Sequence, residues 1–232
     1  MKTIYTGEKD TRLYKSVLGE VIGEILKNDA RAVYLDADLM SCIGTAKLPS
    51  QTERAIDCGI AEANMVGIAC GMSAVGMKPI VHSFGPFASR RCYDQVFLSG
   101  AYAKNSITVI GSDPGVTAAF NGGTHMPFED MGIMRLIPEM TVIEPTDVSM
   151  LEDLMPQIAA QYGMVYMRLV RKEVQQVYER GSQFTIGKAV HVREGSDATI
   201  IASGFCVAEA IRAADTVLIV MSGKSGLTVG AQ

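Results

Sequence analysis

Repeatedly along this sequence, apolar residues at helical spacing give way to a short unbroken apolar run. Leu13, Val17, Leu18, Val21, Ile22, Ile25 and Leu26 share one helical face within residues 10–28, and residues 32–35 follow as a continuous apolar stretch. The couplet returns as residues 60–74 before 79–84, 89–104 before 107–110, and 150–161 before 165–170. Such alternation predicts an α/β domain built on a parallel sheet. Strands without a polar face, such as Ile107, Thr108, Val109 and Ile110, predict helices on both faces of that sheet. Ligands in this architecture bind beyond the carboxyl ends of the strands.

After Arg171 the alternation lapses. Residues 1–175 are therefore assigned to the first domain and the polar stretch 176–197 to a linker. Residues 198–232 read as the start of a second α/β domain, with strands at 198–202 and 216–220 and a weakly structured Gly-rich end at 222–232.

Composition narrows the function. With 232 residues, 48% of them apolar, the chain has enough material for a sizeable core. A net charge of -4 and scattered Lys and Arg give no electrostatic footprint for nucleic acid, so a small-molecule protein is expected. No apolar run approaches the roughly 20 residues of a membrane span, and residues 1–10 are too polar for a signal peptide; a cytoplasmic location is expected. Cys42, Cys58, Cys70, Cys92 and Cys206 lack metal-ligand spacing and are expected as buried, reduced thiols.

Three segments carry chemistry. Glu62 is the only charged residue in a long Ala-, Gly- and Met-rich run. At the first turn of its helix it serves either as an N-terminal cap or as a sheltered carboxyl that shares a proton. Phe84 and Phe87 lie where a strand enters a turn, a place for a stacking platform or for simple core packing. His125 stands near the end of a Gly-bearing loop that leaves another strand.

These residues resemble a known family. Asp36-Ala-Asp-Leu, Gly44-Thr-Ala-Lys-Leu, Gly59-Ile-Ala-Glu-Ala-Asn-Met-Val-Gly, Ser83-Phe-Gly-Pro-Phe, Asn121-Gly-Gly-Thr-His and Tyr166-Met-Arg-Leu-Val-Arg look like the successive motifs of the transketolase pyrimidine domain. They follow closely the separate C-terminal subunits of split bacterial transketolases, in order over residues 11–171. The resemblance implies a thiamine diphosphate-binding fold and the transfer of a two-carbon ketol unit between sugar phosphates. It implies that Glu62 hydrogen-bonds the pyrimidine N1′ and so assists removal of the thiazolium C2 proton. It places Phe84 and Phe87 around the pyrimidine and Asp38 near the cofactor of a neighbouring site. Arg12 and Arg171 match arginines that bind the sugar phosphate, and His125 matches a histidine that contacts substrate hydroxyls.

The Gly-Asp-Gly motif with which the family holds the diphosphate and Mg²⁺ is not in this sequence. No metal ligand is therefore assigned here, and the Mg²⁺ ligands are expected on a partner, the diphosphate-binding N-terminal subunit, in an assembly that also pairs copies of this chain. Two departures bear on substrate. Asn121 stands where the family has an aspartate that reads a donor hydroxyl, and Asp113 stands where the split subunits have a substrate-binding histidine. Two alternatives are weighed. Tyr93-Asp-Gln-Val has the flavour of a 2-oxoacid dehydrogenase E1 β-type subunit, and the altered loop also permits a non-catalytic paralogue that binds a partner.

Overall fold

The structure, a computed structural model, describes residues 3–196, 198–220 and 227–231. The chain divides into two compact units that interleave along the sequence: Leu13–Ile143 with Met155–Lys172, and Met1–Arg12 with Glu144–Leu154 and Glu173–Gln232.

In the larger unit, α1 (Tyr14–Asn28) buries Val17, Leu18, Ile22 and Leu26, the face that the spacing predicts. It is followed by β1 (Ala32–Asp36), α2 (Met40–Ile43), β2 (Ala55–Asp57), α3 (Glu62–Ala74), β3 (Lys78–Phe84) and α4 (Gly85–Ala88). Next come β4 (Thr108–Ser112), α5 (Asp130–Arg135) and β5 (Thr141–Ile143), then α6 (Val148–Ala160), of which only the part from Met155 belongs to this unit, and β6 (Val165–Leu169). The six strands, all parallel, form one sheet in the order β2-β1-β3-β4-β6-β5. Every residue of β1 and of β4 is buried, so both faces of the sheet centre are covered, as the unbroken apolar runs require. The register pairs Asp36 with His82, Phe84 with Ser112, and Ser112 with Leu169. Four strands thus end side by side.

Several expectations are corrected. β2 and β5 are short edge strands that left no pattern to read. The segment read as one helix over 89–104 is instead a 3₁₀ turn, Arg90–Cys92, and a π-helix, Gln95–Tyr102. A Cβ on Gly100 would stand 2.6 Å from the Met164 methyl, so a larger residue in the π turn would oblige the Met164 side chain to move.

In the second unit β7 (Val190–Arg193) falls inside the stretch read as a linker. It joins β8 (Ala198–Ala202) and β9 (Leu227–Ala231) in a three-stranded sheet of order β7-β9-β8. Residues 216–220, expected as a strand, form the last turn of α7 (Cys206–Val220), and the tail expected to be weakly structured contains β9. Residues 221–226 and 232 lie outside the described residues. A short apolar run fits a strand or a buried helix turn equally well, and here the helix wins. Cys70 and Cys92 are buried as expected, whereas Cys42 and Cys58 are half-buried and Cys206 is exposed. No disulfide joins cysteines among the described residues.

Candidate active site

β3 delivers Phe84 to the strand ends, and the Gly85-Pro86 step begins α4, whose single turn presents Phe87. A Cβ on Gly85 would lie 2.5 Å from the Pro127 ring, so glycine lets the loop after β4 close against this turn. That loop brings His125 edge-on to both phenylalanines, with ring centroids 5.4 Å from Phe84 and 5.0 Å from Phe87; the two phenylalanines are themselves 6.4 Å apart. Phe84, Phe87 and His125 thus meet as a three-ring cluster in which His125 is half-buried.

Two buried carboxylates flank it. Glu62 opens α3 and is only 2% exposed. Its side chain does not cap its own helix. Oε1 accepts the Ser83 hydroxyl at 3.0 Å, and Arg91 Nη1 donates to both carboxylate oxygens at 3.0 and 2.8 Å. The same guanidinium lies 3.9 Å above the centre of the Phe87 ring, a cation–π contact. Asp113 follows β4 with φ of 61°, in the left-handed region that Asp enters more readily than most residues. Its Oδ2 accepts Arg171 Nε at 2.5 Å, while Oδ1 is buried with no hydrogen bond among the described residues. Burial pushes this carboxyl above its ordinary pKa, and Arg171 opposes the rise. The Arg171 guanidinium in turn sits 5.1 Å from the centre of the Phe84 ring.

Glu62, Phe84, Phe87, Asp113, His125 and Arg171 therefore form one connected cluster. The other expected residues stand differently. Asp38 is exposed just after β1, with φ of 63° and its N–H bonded to Asp57 Oδ1 at 3.0 Å. Asn121 is exposed at the end of a 3₁₀ turn that contains Ala119 in a strained left-handed conformation, φ 45° and ψ -99°. Arg12 belongs to the smaller unit, where Asp10, Glu152 and Ser149 occupy its guanidinium.

Two features escaped the sequence reading. Arg91 was one; its spacing of four residues from Phe87 is the signal that a helical turn would join them. The other is a buried chain of hydrogen bonds across three strands. His82 Nδ1 meets Asp36 Oδ2 at 2.7 Å and Nε2 meets Ser112 Oγ at 3.0 Å, with Tyr34 donating to Asp36 at 2.6 Å. Ser112 is completely buried, so this Ser-His-Asp order is no nucleophile within reach of a substrate. It is a strut: His82 precedes the serine that bonds Glu62, and Ser112 precedes Asp113.

The family profile described as Transketolase, pyrimidine binding domain, matches residues 11–176. The chain belongs to this family. It is 50% identical over 197 residues to the 6-deoxy-6-sulfo-D-fructose transketolase subunit of Clostridium sp. (strain MSTE9), covering 84% of this chain and 61% of that protein. It is 34% identical over 188 residues to an apulose-4-phosphate transketolase subunit of Phocaeicola vulgatus, covering 80% of this chain and 59% of that protein. Among solved structures it is similar to a split gene transketolase described as an inactive beta4 tetramer, with a TM-score of 0.82 and 29% identity over 94% of this chain and 70% of the other. These likenesses place it with the C-terminal, pyrimidine-binding subunits of split transketolases. The chain spans about three-fifths of the length of the curated relatives it matches. Among the described residues no helix is long and apolar enough to cross a membrane.

Proposed function

We propose that this chain supplies the pyrimidine half of a thiamine diphosphate site for transfer of a two-carbon ketol unit between sugars that end in an anion. The observation that carries the reading is Glu62, a carboxylate 2% exposed, fixed beside two phenylalanines at the ends of parallel strands. The residues fit the cofactor. Arg91 already holds a planar, N–H-bearing group against both Phe87 and Glu62, so the same two side chains accept a flat nitrogenous ring. When bound, the cofactor supplies the electron sink for cleavage beside a ketose carbonyl.

In this reading Glu62 holds a proton between its carboxylate and the ring nitrogen, and Ser83 fixes the angle at which it does so. Phe84 and Phe87 flank the ring and exclude water. His125 contacts substrate hydroxyls, Arg171 answers the terminal anion, Arg12 keeps the anion-binding role that its motif implies, and Asp113 and Asn121 shape the substrate end. Asp38 serves the cofactor of a neighbouring site. The diphosphate and its Mg²⁺ fall to a partner subunit, in keeping with relatives named as subunits or as a C-terminal section. One relative is named for a sulfonated fructose and another for a sugar phosphate, and we carry to this chain their shared chemistry, a terminal oxyanion.

Calorimetric titration of thiamine diphosphate with Mg²⁺ into the full chain, alone and mixed with a diphosphate-domain subunit, tests the proposal. Heat of binding is expected only in the mixture, and Glu62→Ala is expected to abolish ketol transfer there. Tight binding to the chain alone would overturn the half-site reading, and full activity of Glu62→Ala would overturn the mechanism.

A further inference from the structure

Resting on the ketol-transfer reading, we infer that Asp113 sets the charge of the substrate this site accepts, selecting a ketose that ends in a sulfonate monoanion over one that ends in a phosphate. An arginine facing a sugar phosphate ordinarily offers a full positive charge together with its donors. Here the two are separated. Asp113, completely buried, takes Nε of Arg171 at 2.5 Å and cancels its charge. The two terminal nitrogens of Arg171 make no hydrogen bond among the described residues and remain as donors, on a side chain 20% exposed. The site therefore presents a fork of N–H groups with little net charge.

The surroundings do not restore that charge. Arg90 is paired with Glu129 at 2.8 Å, Arg91 with Glu62 at 2.8 Å, and Arg168 with Asp130 at 3.4 Å. Lys172, beside Arg171, donates to the Thr117 carbonyl at 3.0 Å and has no carboxylate partner among the described residues. One uncompensated cation suits one negative charge. A sulfonate carries a single charge over three acceptor oxygens, whereas a phosphate monoester carries about 1.5 to 2 charges at neutral pH. The additional charge of the phosphate meets the Asp113 carboxylate with no cation left to offset it.

The test uses the full chain assembled with its diphosphate-domain subunit. It compares kcat/KM for 6-deoxy-6-sulfofructose and fructose 6-phosphate, donors that differ at the terminal group, with one common acceptor. The sulfonate donor is expected to be preferred. Asp113→Asn, which keeps the shape and removes the charge, is expected to move the ratio toward phosphate by about tenfold or more, as loss of one charge several Å from the anion implies. Asp113→His should move it further. An unchanged ratio in a variant that turns over both donors would overturn the inference and leave ketol transfer standing. Absence of turnover on either donor, with Glu62→Gln no different from wild type, would bring down the ketol-transfer reading itself and this inference with it. Should the variants not assemble, inhibition of the wild-type complex decides: methanesulfonate is expected to compete better than methyl phosphate, and the reverse order overturns the inference.

Discussion

Glu62 and Asp113 are built alike. Each is a buried carboxylate at the carboxyl end of the sheet, bonded to an arginine whose guanidinium lies over a phenylalanine: Arg91 over Phe87 in one case, Arg171 over Phe84 in the other. They differ in how well they are satisfied. Both oxygens of Glu62 are hydrogen-bonded, and its arginine is 43% exposed and able to leave. Asp113 has one oxygen without a partner among the described residues, a left-handed backbone and an arginine only 20% exposed. A satisfied carboxylate beside a movable cation suits a group that must exchange partners with a ligand. An undersatisfied one on a strained backbone suits a fixed element of charge, held in place at a cost to stability.

That contrast can be broken in graded ways. The largest effect is expected at Glu62: Glu62→Gln keeps the size but not the charge, and kcat/KM for ketol transfer by the reconstituted complex should fall about 100- to 10,000-fold. Less than a tenfold loss would put Glu62 on the same footing as a packing residue. His82→Leu comes next, because it removes the strut behind both carboxylates and leaves Asp36 buried with fewer partners. Urea denaturation should show a loss of about 2 to 4 kcal/mol, and no loss would mean that the strut is not needed. Arg91→Met strips Glu62 of its cation; with Arg91 open to water the cost should be nearer 1 kcal/mol, below the usual range for a fully buried pair. A loss above 3 kcal/mol would mean that Arg91 is as fixed as Arg171.

The smallest effect concerns Asp113 and pH. Its carboxyl has a raised pKa, mainly from burial, so it binds its proton more tightly in the folded chain than in the unfolded one. The stability it contributes is present in acid and lost as pH rises through the folded value. Asp113→Asn removes that loss and should melt above wild type near neutral pH, by a few tenths to about 1 kcal/mol. The gap should close on acidification, and a gap that widens in acid would show that Asp113 is stabilising when ionised.

Parts of this site were legible because their signals are local. A lone acid in an Ala- and Gly-rich helix announces Glu62, and aromatics at the end of an apolar run announce Phe84 and Phe87. The Arg171 to Asp113 bond spans 58 positions in sequence, and Asp36 and His82 lie 46 apart, on strands paired only once the sheet order is known. Secondary structure followed the same division. Long periodic helices such as α1 were readable, whereas the end of α7 was not, because Thr216 and the four apolar residues after it fit either state.

The sequence by itself determined the α/β alternation, the parallel sheet and the family, since hydrophobic period and motif order are properties of consecutive residues. Only the tertiary structure decided which charges meet. A buried carboxylate must find a donor wherever the fold places one, and the register of β1, β3, β4 and β6 put arginines, His82 and serines from distant segments within hydrogen-bonding distance of Glu62, Asp36 and Asp113.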